Sequence, residues 1–161
     1  MDNIFYRIDD RLIHGQVITG WSRYYKLKRI IIADDQVTND PIQRQIINMV
    51  APKNIKVNIL CINDSYNAIT DKNQSKNNTL VLTKGPEALY KLSELGIKIE
   101  EVIIGGMQFK DGRKKVTRSV SVNYNEAEKF KQLYNKGIKL NIQLIPTDHK
   151  EQLIPLIEKV F

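Results

Sequence analysis

A single cysteine, Cys61, and only two histidines, His14 and His149, leave this chain poor in the side chains that build disulfide frameworks and zinc sites. One thiol cannot close an intrachain disulfide. Its place in the apolar run Val57-Asn58-Ile59-Leu60-Cys61-Ile62 reads as a small buried core residue, and a cytoplasmic location fits. No metal-ligand spacing occurs, so no metal site is expected. No stretch of about 18 apolar residues is present. The first apolar stretch is interrupted by Arg7, Asp9 and Asp10, so neither a membrane-spanning helix nor a secretory signal is expected. Nucleotide signatures are missing as well: no Gly-x-Gly-x-x-Gly follows the first strand, and no Gly-x-x-x-x-Gly-Lys-Ser/Thr occurs. No cofactor is expected. Internal repeats, low-complexity tracts and long linkers are also lacking.

What is present suits one domain over residues 1–161, since 42% hydrophobic residues can fill one sizeable core. The net charge of +7 raises nucleic-acid binding, because basic patches release counterions from phosphates. The lysines, however, are dispersed. Their one short cluster, Arg113-Lys114-Lys115, has no interleaved aromatic residues to stack on bases and reads as solvated surface.

Residues 3–8, 29–33, 56–62, 79–83, 102–104 and 139–144 read as strands apolar enough to be buried on both faces, which indicates a parallel sheet. Between them, residues 17–25, 41–50, 86–95, 125–134 and 151–160 show helical spacing, with a shorter helix over 64–72. Asp40 before Pro41 forms a helix start, and Gly96 and Gly137 stand at helix ends. The fold class expected is α/β: a three-layer α/β/α arrangement around an open, mostly parallel sheet of about six strands. An Asp-Gly turn at 111–112 places a small hairpin or extra strand after residue 106.

In such sheets ligands bind beyond the carboxyl ends of the strands. The first such segment carries Arg7, Asp9, Asp10, Arg11, His14 and Gly15. Gly15 allows close backbone approach, and the following helix offers unpaired N–H groups and the positive end of its dipole to a phosphate. A neutral imidazole at His14 is a nucleophile, and Arg11 is suited to the equatorial oxygens of a phosphoryl group. Asp9 and Asp10 suit orientation of the arginines or the imidazole. By residue chemistry alone, a locally bonded histidine in an ordinary polar loop stays open beside this reading. Asp34-Asp35 sits where a ribose-binding carboxylate occurs in dinucleotide folds, without the glycines such a fold needs. Thr83-Lys84-Gly85 can line the same cleft or simply turn into a helix, and Gly105-Gly106 permits a ligand's approach or simply a turn. His149 reads as exposed, and Trp21 as core or rim packing.

The run Arg7-Ile8-Asp9-Asp10-Arg11-Leu12-Ile13-His14-Gly15-Gln16-Val17 closely resembles the signature of the IIB subunit or domain of the mannose, fructose and sorbose family of the phosphoenolpyruvate-dependent sugar phosphotransferase system (PTS). The likeness extends through Asp40-Pro41, Thr83-Lys84, Gly105-Gly106-Met107, Ser119-Val120-Ser121-Val122 and Pro146-Thr147. The resemblance implies a soluble, cytoplasmic phosphoryl carrier at the inner face of the membrane. His14 would receive the phosphoryl group at Nδ1 from the histidine of a separate IIA partner. It would pass it to a sugar moved by the IIC and IID membrane subunits. Arg11 matches the family's phosphoryl-stabilising arginine, and Arg7, Asp10, Gly15, Gln16 and Thr83 are taken with it as the phosphate-binding set. A basic rim including Arg7 and Arg11 would dock the partners. A non-catalytic nucleic-acid-binding or regulatory α/β module is the competing reading.

Overall fold

The computed structural model describes residues 3–161, and of Gln16 the backbone alone. The parallel strands are β1 (Ile4–Asp9), β2 (Arg29–Ala33), β3 (Lys56–Leu60), β4 (Thr79–Thr83), β5 (Glu101–Gly106) and β8 (Lys139–Ile142). A two-residue strand, β9 (Glu151–Gln152), pairs antiparallel with β8, giving the sheet order β3-β2-β4-β1-β5-β8-β9. The short strands β6 (Lys114–Lys115) and β7 (Ser121–Val122) form a separate two-stranded hairpin. The helices are α1 (Gly15–Tyr25), α2 (Asp35–Thr38), α3 (Pro41–Val50), α4 (Ile62–Thr70), α5 (Pro86–Glu94), α6 (Tyr124–Asn135) and α7 (Leu153–Val160). The three-layer α/β/α class is as expected, with seven strands in the sheet instead of about six. Residues 151–152 form β9 where the sequence reads as the start of a helix.

Two cores lie on the two faces of the sheet, and the period-two alternation of strand side chains sorts residues between them. Ile30, Ile32, Leu80 and Leu82 face one core with Ile18 of α1, Val37 of α2 and Ile47 of α3. Ile31, Ala33 and Val81 face the other, against Ile69 of α4, Leu89 of α5, Phe130 of α6 and Ile157 of α7. Strands covered on both faces need no polar side, which is why β2 and β4 are buried throughout. The edge strand β3 departs from the expectation of full burial, with Lys56 exposed and most of the strand only half-covered.

Helix starts follow local chemistry. Asp40 accepts bonds from the N–H groups of Ile42 and Gln43, with Pro41 following at the first position. Asp34 caps α2, and Asp35 accepts from the N–H of Ile62, so this carboxylate pair is occupied structurally. Cys61 is half-buried rather than a core thiol, and its Sγ accepts from the N–H of Asp64 at the start of α4. Among the described residues no helix is long and apolar enough to cross a membrane.

The chain leaves β1 toward β2 on one side of the sheet and leaves β5 toward β8 on the other. Their carboxyl ends therefore form a topological switch point, the crevice where open α/β sheets bind ligands. A register shift between Ile8 and Asp9 brings Asp9 opposite Gly106 there.

Candidate active site

Alternation along β1 sends Arg7 and Asp9 to the same face, with α1 above it. The Asp9 side chain is almost wholly buried, and three cationic or ionisable groups converge on it. Arg11 places Nε 3.2 Å from Oδ1 and Nη2 3.3 Å from Oδ2, and its backbone N–H donates to Oδ1 at 3.1 Å. His14 Nε2 lies 3.1 Å from Oδ2, and Arg7 Nη2 lies 3.8 Å from the same oxygen. A carboxylate is an acceptor only, so the neutral imidazole presents Nε2–H to Asp9. The Nδ1 lone pair then has no partner among the described residues.

The loop reaches this shape because its apolar residues turn inward. Leu12 and Ile13 are buried in the core under α1, while the side chains of Arg11 and His14 stay 37% and 26% exposed. Leu12 has φ of 59°, an uncommon conformation for a branched residue, held by a bond from its N–H to the Asp9 carbonyl. His14 is the N-cap of α1, and its side chain makes no capping hydrogen bond. The cap residue therefore takes up none of the first-turn N–H groups. Gly15 follows with φ of 42°, where a side chain would be strained.

Several expected site residues stand elsewhere. Arg7 is only 2% exposed, its donors go to the carbonyls of Gln143 and Leu144, and its guanidinium stacks over Trp21. It supports Asp9 from behind and, being buried, is not part of the exposed rim expected to include it. Burial lowers its pKa to about 10 although Asp9 pulls it up. Thr83, expected to line the cradle, is fully buried and donates its hydroxyl to the Gly85 carbonyl. Asp10 turns away from His14 toward Arg113 and the N–H of Gln108. The expected role of the Gln16 side chain lies outside the described residues. His149 is exposed, and Trp21 is buried with Nε1–H bonded to the Leu144 carbonyl.

Gly105 and Gly106 belong to β5 rather than to a turn, and arginines approach them. A Cβ on Gly105 would lie 1.9 Å from Arg7 Nη2, and one on Gly106 would lie 2.9 Å from Arg11 Nη2. Residue reasoning also missed Arg113, read as solvated surface; it is buried against Asp10 and Glu126. The only local signal was its neighbouring Asp-Gly turn, which gives no partner. A cleft of about 380 Å³ opens beside Arg11, walled by Gly106, Phe109, Lys115, Arg118 and Ser119. A larger hollow of about 680 Å³ beside α3 is lined by no residue of the run Arg7 to Val17.

A buried carboxylate fixes an imidazole and an arginine at the mouth of an α/β switch point, an arrangement whose chemistry suits an anionic group. The family described as "PTS system sorbose subfamily IIB component" matches residues 3–160, and the chain belongs to that family. It is 32% identical over 160 residues to the PTS system fructose-specific EIIB component of Bacillus subtilis, covering 99% of this chain and 98% of that protein. It is 34% identical over 155 residues to the sorbose-specific EIIB component of Lacticaseibacillus casei, covering 96% and 94%. The crystal structure of the IIBSor domain of the sorbose permease from Klebsiella pneumoniae superimposes with a TM-score of 0.93 at 31% identity, covering 98% of each chain. The chain is thus a IIB component, the phosphoryl carrier of a sugar phosphotransferase system, and the nucleic-acid-module reading is not favoured.

Proposed function

We propose that His14 carries the phosphoryl group on Nδ1, receiving it from a phosphohistidine of a IIA partner and giving it to a sugar hydroxyl. The observation that carries this is the bond between His14 Nε2 and the buried Asp9 carboxylate. In the first transfer the Nδ1 lone pair attacks phosphorus, the new N–P bond forms, and the bond to the donor imidazole breaks. The ring then holds both the phosphoryl group and the Nε2 proton, so it is an imidazolium, and Asp9 stabilises that charge. In the second transfer a sugar hydroxyl attacks phosphorus, its proton passes to water, and the Nδ1–P bond breaks to restore the neutral ring, which keeps the Nε2 proton.

Arg11 anchors to Asp9 through Nε and Nη2, and its Nη1 is free of partners among the described residues. We assign that edge of the guanidinium to the equatorial oxygens, where charge spreads during transfer. The uncapped start of α1, with Gly15 at its head, supplies backbone N–H groups to the bound phosphoryl. Family membership supports cytoplasmic work beside IIC and IID membrane subunits, with the IIA phosphodonor as the other partner.

The test is incubation with radiolabelled phosphoenolpyruvate, the general phosphotransferase proteins and a matched IIA protein. An acid-labile, base-stable adduct is expected, absent in His14→Ala. Failure to label the wild-type chain by a matched, phosphorylated donor would refute the assignment.

A further inference from the structure

Lys114 and Lys115 are exposed, yet the neighbouring Arg113 side chain is only 3% exposed. Its Nη1 donates to Asp10 Oδ2 at 2.9 Å and to the Gln108 carbonyl at 2.7 Å. Its Nε and Nη2 fork onto Glu126 at 2.9 and 2.7 Å. Glu126 is held in turn by the capping box of α6, accepting from the N–H of Asn123. Burial pulls the Arg113 pKa down, but the bonds and charges of Glu126 and Asp10 outweigh it, so the guanidinium titrates above its ordinary range. The second oxygen of Asp10, Oδ1, is buried without a partner among the described residues. Asp10 is therefore a largely desolvated carboxylate whose charge is compensated by Arg113.

Asp10 is covalently flanked by the two residues that build the site, Asp9 and Arg11. Its backbone N–H is fixed to the Gly106 carbonyl, so the segment cannot swing away. A carboxylate here has two harmful options if left unpaired: it can draw the Arg11 guanidinium off Asp9, or repel an incoming phosphoryl group. We infer that Arg113 is a positioning residue for transfer at His14, pairing with Asp10 so that Arg11 stays committed to Asp9 and to the phosphoryl oxygens. The inference rests on the proposed phosphoryl transfer at His14. It assigns opposite directions to adjacent carboxylates, Asp9 toward the imidazole and Asp10 toward the hairpin. It also explains why one member of a basic cluster is buried.

The experiment is the single-turnover rate of phosphoryl transfer from phosphorylated IIA, compared among wild type, Arg113→Gln and the double variant Arg113→Gln/Asp10→Asn. A single uncompensated charge beside the site is expected to slow Arg113→Gln on the order of tenfold. Removing the Asp10 charge as well is expected to restore the rate to within about threefold of wild type, by the same electrostatic argument. A purely structural role for Arg113 gives no such rescue, because the double variant lacks even more of the network. An Arg113→Gln rate equal to wild type, or a double variant as slow as the single, overturns the inference. If Arg113→Gln does not fold by circular dichroism, R113K against R113K/D10N carries the same comparison, since lysine cannot bridge both carboxylates with a fork. Unlabelled wild type would instead sink the His14 assignment itself, so the two failures are distinguishable.

Discussion

Gly105 leaves open the space that Arg7 occupies: a Cβ there would stand 1.9 Å from Nη2 of the buried guanidinium. Arg7 has little freedom to step aside, because the carbonyls of Gln143 and Leu144 hold both of its terminal nitrogens and Trp21 covers its face. The strand glycine and the strand arginine are thus one device, placed so that a charged side chain can lie under Asp9.

Gly105→Ala is expected to destabilise the fold by about 2 kcal/mol through overpacking against Arg7. Urea unfolding of the two proteins measures it. An unchanged midpoint and slope would mean that Arg7 moves freely, contrary to its bonding.

Asp9→Asn keeps the size of the side chain and removes the charge that three groups share. Transfer through His14 is expected to fall by about a hundredfold or more, since the imidazolium loses its counter-charge and the ring its fixed tautomer. Nitrogen-15 shifts of the His14 ring report the tautomer independently: loss of the Nε2–H preference should accompany the slower rate. A rate within twofold of wild type would dismiss Asp9 as the orienting group.

With its side chain 37% exposed, Arg11 contributes little to the core. Arg11→Ala should leave unfolding within about 1 kcal/mol of wild type while slowing transfer by about a hundredfold, because its charge is needed most in the transition state. Arg11→Lys should recover only part of the rate, since a point charge cannot hold Asp9 and the phosphoryl oxygens at once. Full activity in either variant would remove Arg11 from the transfer step.

Burial, reinforced by the charge of Glu101, raises the pKa of Tyr25 from 10.0 to about 12. Between these values the unfolded chain loses the phenolic proton and the native chain keeps it, so stability falls as pH rises from 10 to 12. The hydroxyl is only partly buried, and solvent screening limits the loss to about 1 kcal/mol. Comparing Tyr25→Phe with wild type at pH 9 and pH 11.5 isolates the tyrosine contribution. The variant should lose less stability than wild type by that amount, and parallel losses would refute the assignment.

Much of the fold is legible in the chain itself because its signals are local. Six parallel strands are readable from short β-branched runs, and α3 and α6 from caps and spacing. The misses are equally physical. The pair Glu151-Gln152 joins β9 only because β8 offers it an edge, and β3 is half-covered only because it lies last in the sheet. At the site, the order of the first motif was enough to single out His14, Arg11 and Gly15. It could not separate the duties of Asp9 and Asp10, since neighbouring carboxylates on a loop look alike until their partners are known.

The sequence by itself determined most of the secondary elements, the two-faced sheet and the presence of a histidine, an arginine and a glycine at the end of β1. It did so because period, capping and turn chemistry act between residues a few positions apart. Only the tertiary structure decided that Arg7 is a buried support rather than a contact residue, that Asp9 takes the imidazole, and that Asp10 belongs to Arg113. Those choices are made by Gln143, Leu144, Gln108, Arg113 and Glu126, which stand about a hundred residues or more along the chain from the motif. A charged side chain settles wherever desolvation is best compensated, and that place exists only once β1 lies between β4 and β5.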